Sequence, residues 1–138
     1  HAAPEEYEGA VQSPRNVHEA KAIALLAALL LGVGYAPARL TILSAYVGQL
    51  LLLRAALDAA GMHGIELSTV DAYQGEENDI ILLSLTRSND KGTLGFTAID
   101  NRVCVALSRA RLGFYAACNL EMLGGGSPLW SKVQRYLG

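Results

Sequence analysis

The sequence predicts an α/β domain, a parallel sheet with helices on both faces. Three observations carry this. Short β-branched and aliphatic runs alternate along the chain with stretches of helical spacing, the pattern of right-handed βαβ units. The run from Asp79 to Thr86 is apolar almost without alternation, as a strand covered on both sides must be. The composition, 51% apolar with 7% aromatic and 17% charged, supplies an aliphatic core and excludes disorder.

Residues 1–15 carry Pro4, Gly9 and Pro14 with Glu5, Glu6 and Glu8, and read as an irregular lead-in to a single domain over 16–138. Asn16 is a helix cap, with Glu19 three positions on forming a capping-box pair; that helix runs to Leu31 and stops at Gly32 and Gly34. Arg39 to Tyr46 is a buried strand, Gln49 to Ala60 a helix ended by Gly61, and Ile65 to Val70 a short strand. After the apolar strand, Ser88 to Gly95 reads as a polar loop with a flexible turn at Gly92–Gly95. Ile99 to Arg111 has helical spacing, with Val103, Ala106, Leu107 and Ala110 on one side. Phe114 to Cys118 is a strand, Gly124 to Pro128 a loop and Leu129 to Leu137 a closing helix. No internal repeat and no domain linker interrupts the pattern.

A net charge of −2 provides no overall basic field for nucleic acid, although a half-site shared with another domain needs none. Cys104 and Cys118 sit fourteen apart in apolar surroundings without nearby histidines. They read as buried free thiols of a reducing, intracellular compartment, cytoplasmic or nuclear, and no metal-ligating set is expected. The apolar run Ala22–Leu31 is too short to span a bilayer, so no membrane is expected as a partner. The start at His1, with neither Met nor a secretory signal, reads as a piece excised from a longer protein.

Three segments carry candidate chemistry. Gln74-Gly75-Glu76-Glu77 falls in a loop between two strands, where ligands of such sheets bind. Gly75 permits close backbone approach and Glu77 accepts hydrogen bonds from ribose hydroxyls; the alternative is an ordinary glycine turn with solvated acids. Arg109 and Arg111, two apart on a helix, project about 200° apart, so one faces a cleft and the other solvent or a neighbouring strand. A planar, permanently charged guanidinium suits a leaving γ-phosphate, while two surface arginines are the plain alternative. Ser44, with the amides near Val47 and Gly48 at a helix start, offers a phosphate contact, and Thr69 a hydroxyl at another strand end. Either residue is equally explained as strand structure. His1, His18 and His63 are isolated, and Gly124-Gly-Gly lacks the Lys-Ser/Thr ending of a phosphate loop.

Taken whole, Ser68-Thr-Val-Asp-Ala-Tyr-Gln-Gly-Glu-Glu-Asn-Asp79 and Asn101-Arg-Val-Cys-Val-Ala-Leu-Ser-Arg-Ala-Arg111 resemble motifs V and VI of superfamily 1 helicases. Arg87-Ser-Asn89, Gly95-Phe96 and Pro128-Leu-Trp-Ser-Lys132 extend the likeness, which covers about His18 to Lys132. The chain resembles the second RecA-like domain of the 5′→3′ subgroup, which includes the nonsense-mediated-decay helicase and senataxin. It is particularly similar to RNA helicases with NFX-type zinc fingers.

The resemblance implies a RecA-like P-loop NTPase fold and a set of roles. Arg109 is then the motif VI arginine that reaches the γ-phosphate across a domain cleft and assists its hydrolysis. Glu77 is the acid near the nucleotide sugar, with Gln74 and Gly75 shaping that wall. Ser44, Tyr46 and Thr69 match positions near the nucleic-acid backbone. Cys104 stands where motif VI commonly has Asn, and Ser44-Ala45-Tyr46 where motif IV often reads Thr-Pro-Tyr. The implied cofactor is ATP with Mg2+, the metal held by the first RecA-like domain, and the implied partners are that domain and single-stranded RNA. Read this way, the full-length protein is an ATP-dependent RNA helicase, and the 138 residues alone hydrolyse no ATP. Three alternatives stand: a DNA helicase of the same superfamily, a non-catalytic RecA-like scaffold, and, more distantly, a flavodoxin-type nucleotide-binding fold.

Overall fold

Leu40–Ser44 and Asn78–Ser84, the two runs apolar on both faces, occupy the centre of the molecule. The structure, a computed structural model, describes residues 2–7, 13–89 and 100–137. The chain begins with a two-residue antiparallel ladder of β1 (Glu6–Tyr7) and β2 (Pro14–Arg15). Then follow α1 (Val17–Gly32), a 3-10 turn at Pro37–Arg39, β3 (Leu40–Ser44), α2 (Val47–Ala59) and β4 (Glu66–Thr69). The second half contains β5 (Asn78–Ser84), α3 (Asp100–Leu107), β6 (Ala110–Ala117), α4 (Leu120–Gly126) and α5 (Pro128–Leu137). All four strands of the main sheet are parallel, in the order β4-β3-β5-β6.

Strand parity sorts the core into two layers. Leu40, Ile42, Ile80 and Leu82 point to one face, where they meet Ala20, Ile23, Ala27 and Leu30 of α1 and Leu53 and Leu57 of α2. Leu43, Ile81 and Leu83 point to the other, against Val70 and Tyr73 of the β4–β5 connection, Ala106 of α3, Leu123 of α4 and Trp130 of α5. Helices therefore cover both faces, as expected. Each buried aliphatic side chain contributes about 1.5–3 kcal/mol to this double layer.

The structure corrects the sequence reading in four places. Residues 1–15 include the short β1/β2 ladder, where an irregular segment was expected. The helix expected over Ile99–Arg111 ends at Leu107. Ser108 and Arg109 form a turn, and Ala110 and Arg111 already belong to β6. Helical spacing could not reveal this, because Ala110 is equally compatible with a buried strand. Gly124–Gly126, expected as a loop, complete α4. Asn119 caps that helix by accepting from the Met122 amide, and buried Leu123 anchors it, so packing overrides the poor helix propensity of glycine. Finally, Cys104 is exposed, where a buried thiol was expected; neither cysteine forms a disulfide among the described residues. Cys118 is half-buried, and burial, with Glu19 adding, pushes its thiol up to about 11. The turn at Gly92–Gly95, Gly95-Phe96 and the side chain of Val103 lie outside the described residues. Among the described residues no helix is long and apolar enough to cross a membrane.

Asn16 caps α1 as expected, its side-chain oxygen accepting from the Glu19 amide at 3.1 Å. The reciprocal half of the capping box does not form. The Asn16 amide donates to Gln49 Oε1 at 2.7 Å, and the Glu19 carboxylate turns instead into the core. There it accepts from Ser84 Oγ at 2.6 Å and from the Thr86 amide at 2.8 Å. Gln49 Nε2 completes the cluster by donating to Ser84 Oγ and to the Asn16 carbonyl. The cluster holds Thr86 at φ +69°, a left-handed conformation rare for a β-branched residue, and so fixes how the chain leaves β5.

Burial raises the Glu19 carboxyl from 4.5 to about 7, against the opposing hydrogen bonds from Ser84 and Thr86. The folded state thus holds this proton more tightly than the unfolded chain. The contribution of Glu19 is most favourable below about pH 4.5 and declines as pH rises to about 7. Glu19→Gln removes that titration. The stability difference between wild type and variant should change by on the order of 2–3 kcal/mol across the window, read from urea midpoints against pH. Parallel wild-type and variant profiles would refute the assignment.

Candidate functional site

Because the main sheet is parallel, the residues just before β5 and just before β6 meet at the same, amino-terminal edge. The β4–β5 connection leaves the far end of β4 and crosses the sheet face, pinned by buried Tyr73, whose hydroxyl lies 3.2 Å from Thr41 Oγ1. It delivers Gln74, Gly75, Glu76 and Glu77 to this edge, all exposed. The α3–β6 turn delivers Ser108 and Arg109 beside them. The Asn78 amide donates to the Arg109 carbonyl at 3.1 Å, and Asn78 Nδ2 ties back to the Ala38 carbonyl and Thr41 Oγ1, both at 3.0 Å.

Arg109 is half-buried and lies against the acidic turn. Its Nη1 donates to the Glu76 carbonyl over a long 3.4 Å. Its Nε is buried and finds no hydrogen-bond partner among the described residues. The guanidinium is therefore held only loosely on its own chain, with donor capacity unused. Gly75 sits at φ +81°, and nothing lies within 4 Å of the position a Cβ would occupy, so its glycine serves backbone geometry at an open surface.

Sequence reasoning did not find the charge network beside this turn. Arg111 donates from Nη1 to Glu77 Oε1 at 3.2 Å and from Nε to Asp79 Oδ1 at 2.8 Å. Asp79 Oδ2 accepts from Arg39 Nε at 2.6 Å, and the Arg39 guanidinium lies 5.2 Å from the Tyr35 ring centroid. Arg39, then Arg111, hold the Asp79 carboxyl below the usual carboxylate range. The two arginines do not share a helix as expected: Arg109 lies in a turn against Glu76, and Arg111 lies on β6, paired to Glu77 and Asp79.

The expected nucleic-acid residues gather at the opposite, carboxyl-terminal edge. Ser44 is fully buried. Its hydroxyl accepts from the Tyr46 amide at 3.2 Å and lies 3.4 Å from Thr86 Oγ1, so it shapes the β3–α2 turn and is closed to a ligand, a correction to the phosphate contact read from the sequence. The Gly48 amide is likewise occupied, donating to Ser13 Oγ at 3.0 Å. Tyr46 is half-buried under the Arg87 guanidinium, 5.8 Å away, and Arg87 Nε pairs with Glu5 at 3.1 Å. Thr69 is also half-buried and accepts from the Ala72 amide at 3.1 Å. The structure thus separates the two sets of candidates to opposite ends of one sheet.

Among the described residues, no group of three or more His, Cys, Asp or Glu side chains is arranged to hold a metal ion, and Glu77 and Asp79 are both paired to Arg111. This donor set does not fit Mg2+, and no metal-dependent step is assigned to it.

Comparison with known proteins matches residues 1–121 to the family described as AAA domain. The chain is 48% identical over 133 residues to NFX1-type zinc finger-containing protein 1 of Homo sapiens, covering 96% of this chain and 7% of that protein. It is 41% identical over 118 residues to the Schizosaccharomyces pombe helicase required for RNAi-mediated heterochromatin assembly 1, covering 83% of this chain and 12% of that protein. It is 37% identical over 110 residues to the DNA replication ATP-dependent helicase/nuclease DNA2 of Mus musculus, covering 79% and 10%. The chain thus spans only 7–12% of the length of these relatives.

The positive φ of Gly75 gives a direct check on the acidic turn. Gly75→Ala should destabilise the chain by about 1 kcal/mol through backbone strain alone, and Gly75→Asn, which tolerates the left-handed region, by less. Equal stability of all three in chemical denaturation would show that the turn does not need this conformation.

Proposed function

The chain belongs to the AAA-domain family, as a second RecA-like domain of the superfamily 1 helicase type, and from that premise we propose that it is one half of an ATP-driven motor running on RNA. The observation that supports this most is Arg109 beside the Gln74–Glu77 turn at one sheet edge, its guanidinium loosely held and its Nε unpartnered among the described residues. The buried Nε is closed to an incoming ligand, so the donors this group has to offer another domain are its terminal N–H groups. In this reading the first RecA-like domain of the full-length protein holds ATP and Mg2+. Closure of the cleft brings Arg109 to the γ-phosphate, where a permanent planar charge stabilises the transferring phosphoryl group.

Glu77 accepts from the sugar hydroxyls and Gln74 and Gly75 line the same wall. Loss of the γ-phosphate removes the partner of Arg109 and reopens the cleft, which couples chemistry to domain motion. At the opposite edge, Tyr46 and Thr69 contribute to the nucleic-acid track, and Ser44 acts by ordering the turn that presents Tyr46. Separation of the two sets lets the strands between them transmit the movement.

RNA is the proposed track because the motif string resembles RNA helicases with NFX-type zinc fingers, and the fission-yeast relative is named as a helicase required for RNAi-mediated heterochromatin assembly. The match to a DNA replication helicase/nuclease supports DNA as the second reading. On its own the chain lacks a Gly-x4-Gly-Lys-Ser/Thr segment, and no ATP turnover is expected of it.

In the full-length protein, Arg109→Ala should lower ATP turnover by about 10³-fold or more while nucleotide binding persists. Unchanged turnover would defeat the assignment. Unwinding of matched RNA and DNA duplexes should favour RNA, and a DNA preference would replace the track without touching the motor.

A further inference from the structure

The ladder between β5 and β6 is not regular. Asn78 pairs with Ala110 and Ile80 with Gly113, so two residues, Arg111 and Leu112, stand opposite the single residue Asp79. An extra residue in a strand bends it locally and re-aims the side chains on either side, and such irregularities recur beside functional sites. Here the re-aimed side chain is Arg111. It bridges Asp79 at 2.8 Å and Glu77 at 3.2 Å, while Leu112 is turned out to solvent.

We propose that Arg111 is a positioning residue, aimed by this bulge to hold the Glu77 carboxylate in the geometry that reads a nucleotide sugar. The proposal rests on the nucleotide site inferred above. Its support is a continuous line of fixed groups. Tyr35 lies under Arg39, Arg39 and Arg111 grip the two oxygens of Asp79, and the second arm of Arg111 reaches Glu77. Glu77 is otherwise an exposed side chain on a turn, free to sample many rotamers. A carboxylate that must meet a sugar hydroxyl gains from being held in advance.

Charge supplies a second reason. Glu76 and Glu77 are adjacent acids, and a triphosphate brought to this edge meets their negative field. Arg111 lies between Glu77 and Asp79 and offsets that repulsion locally. Arg109, which carries the phosphate chemistry, is then spared from pairing with either acid.

The test uses the full-length protein and steady-state kinetics with ATP and with 2′- and 3′-deoxy-ATP. Arg111→Ala should raise the KM for ATP about three- to fivefold, with a much smaller change in kcat, the size expected for an exposed ion pair. It should also weaken the preference of the enzyme for ATP over the deoxy analogue that the wild type rejects. Arg111→Lys, which keeps the charge but reaches only one carboxylate, should fall between the two, and comparable thermal midpoints exclude unfolding. In a cycle with Glu77→Ala, the KM effects should be non-additive, because Arg111 works through Glu77.

Additive effects, or unchanged KM and sugar preference in Arg111→Ala, would overturn the positioning role. A wild type indifferent to both deoxy analogues would overturn sugar reading and the positioning role together. Arg109→Ala separates that failure from a failure of the motor reading, since loss of turnover there would leave the motor standing.

Discussion

Everything at the candidate site depends on the pairing of β5 with β6. Two parallel strands place their preceding residues at one edge whatever the distance between them in sequence. The bond from the Asn78 amide to the Arg109 carbonyl locks that edge at its first rung. Arg109 thereby comes to the acidic turn although thirty-odd residues separate them. The same strand pair carries the two-against-one register at Asp79, which gives Arg111 its direction. A shift of one residue along this ladder would exchange inward and outward side chains and dismantle both the core layer and the site.

The opposite end of β5 is governed by different physics. At the amino edge the polar groups are charges at or near the surface, linked through Arg111, Asp79 and Arg39. At the carboxyl edge they are buried, and Glu19, Ser84, Gln49 and Asn16 satisfy one another inside the core. Burying a carboxylate is costly, and the raised pKa of Glu19 records that cost. The hydrogen bonds from Ser84 Oγ and the Thr86 amide offset part of it, and they hold Thr86 in its left-handed conformation and so fix the start of the segment carrying Arg87. One end of the sheet thus carries a buried polar cluster, the other a network of charges near the surface.

Much of this was legible in the residues. The alternation of strand and helix, both buried central strands, the Asn16 cap and the gathering of motif residues in loops all follow from composition and period. The errors are informative because each came from a signal that two structures share. Ala110 fits a buried helix and a buried strand equally, so the end of α3 could not be placed. Three consecutive glycines read as a loop until Leu123 and the α5 helix are there to pack against. Ser44 looked like a ligand contact because the sequence gives its chemistry but not its accessibility.

The sequence by itself determined that the chain is a two-sided parallel α/β domain and which side-chain types stand at its strand ends, since hydrophobic period and turn chemistry are local properties. Tertiary structure alone decided that Arg109 meets Glu76, that Arg111 bridges Glu77 and Asp79, and that the Glu19 carboxylate leaves its own helix cap for Ser84 and Thr86. These pairings span from 32 to 67 residues and turn on strand register and burial. Both quantities are set only when distant segments share one sheet.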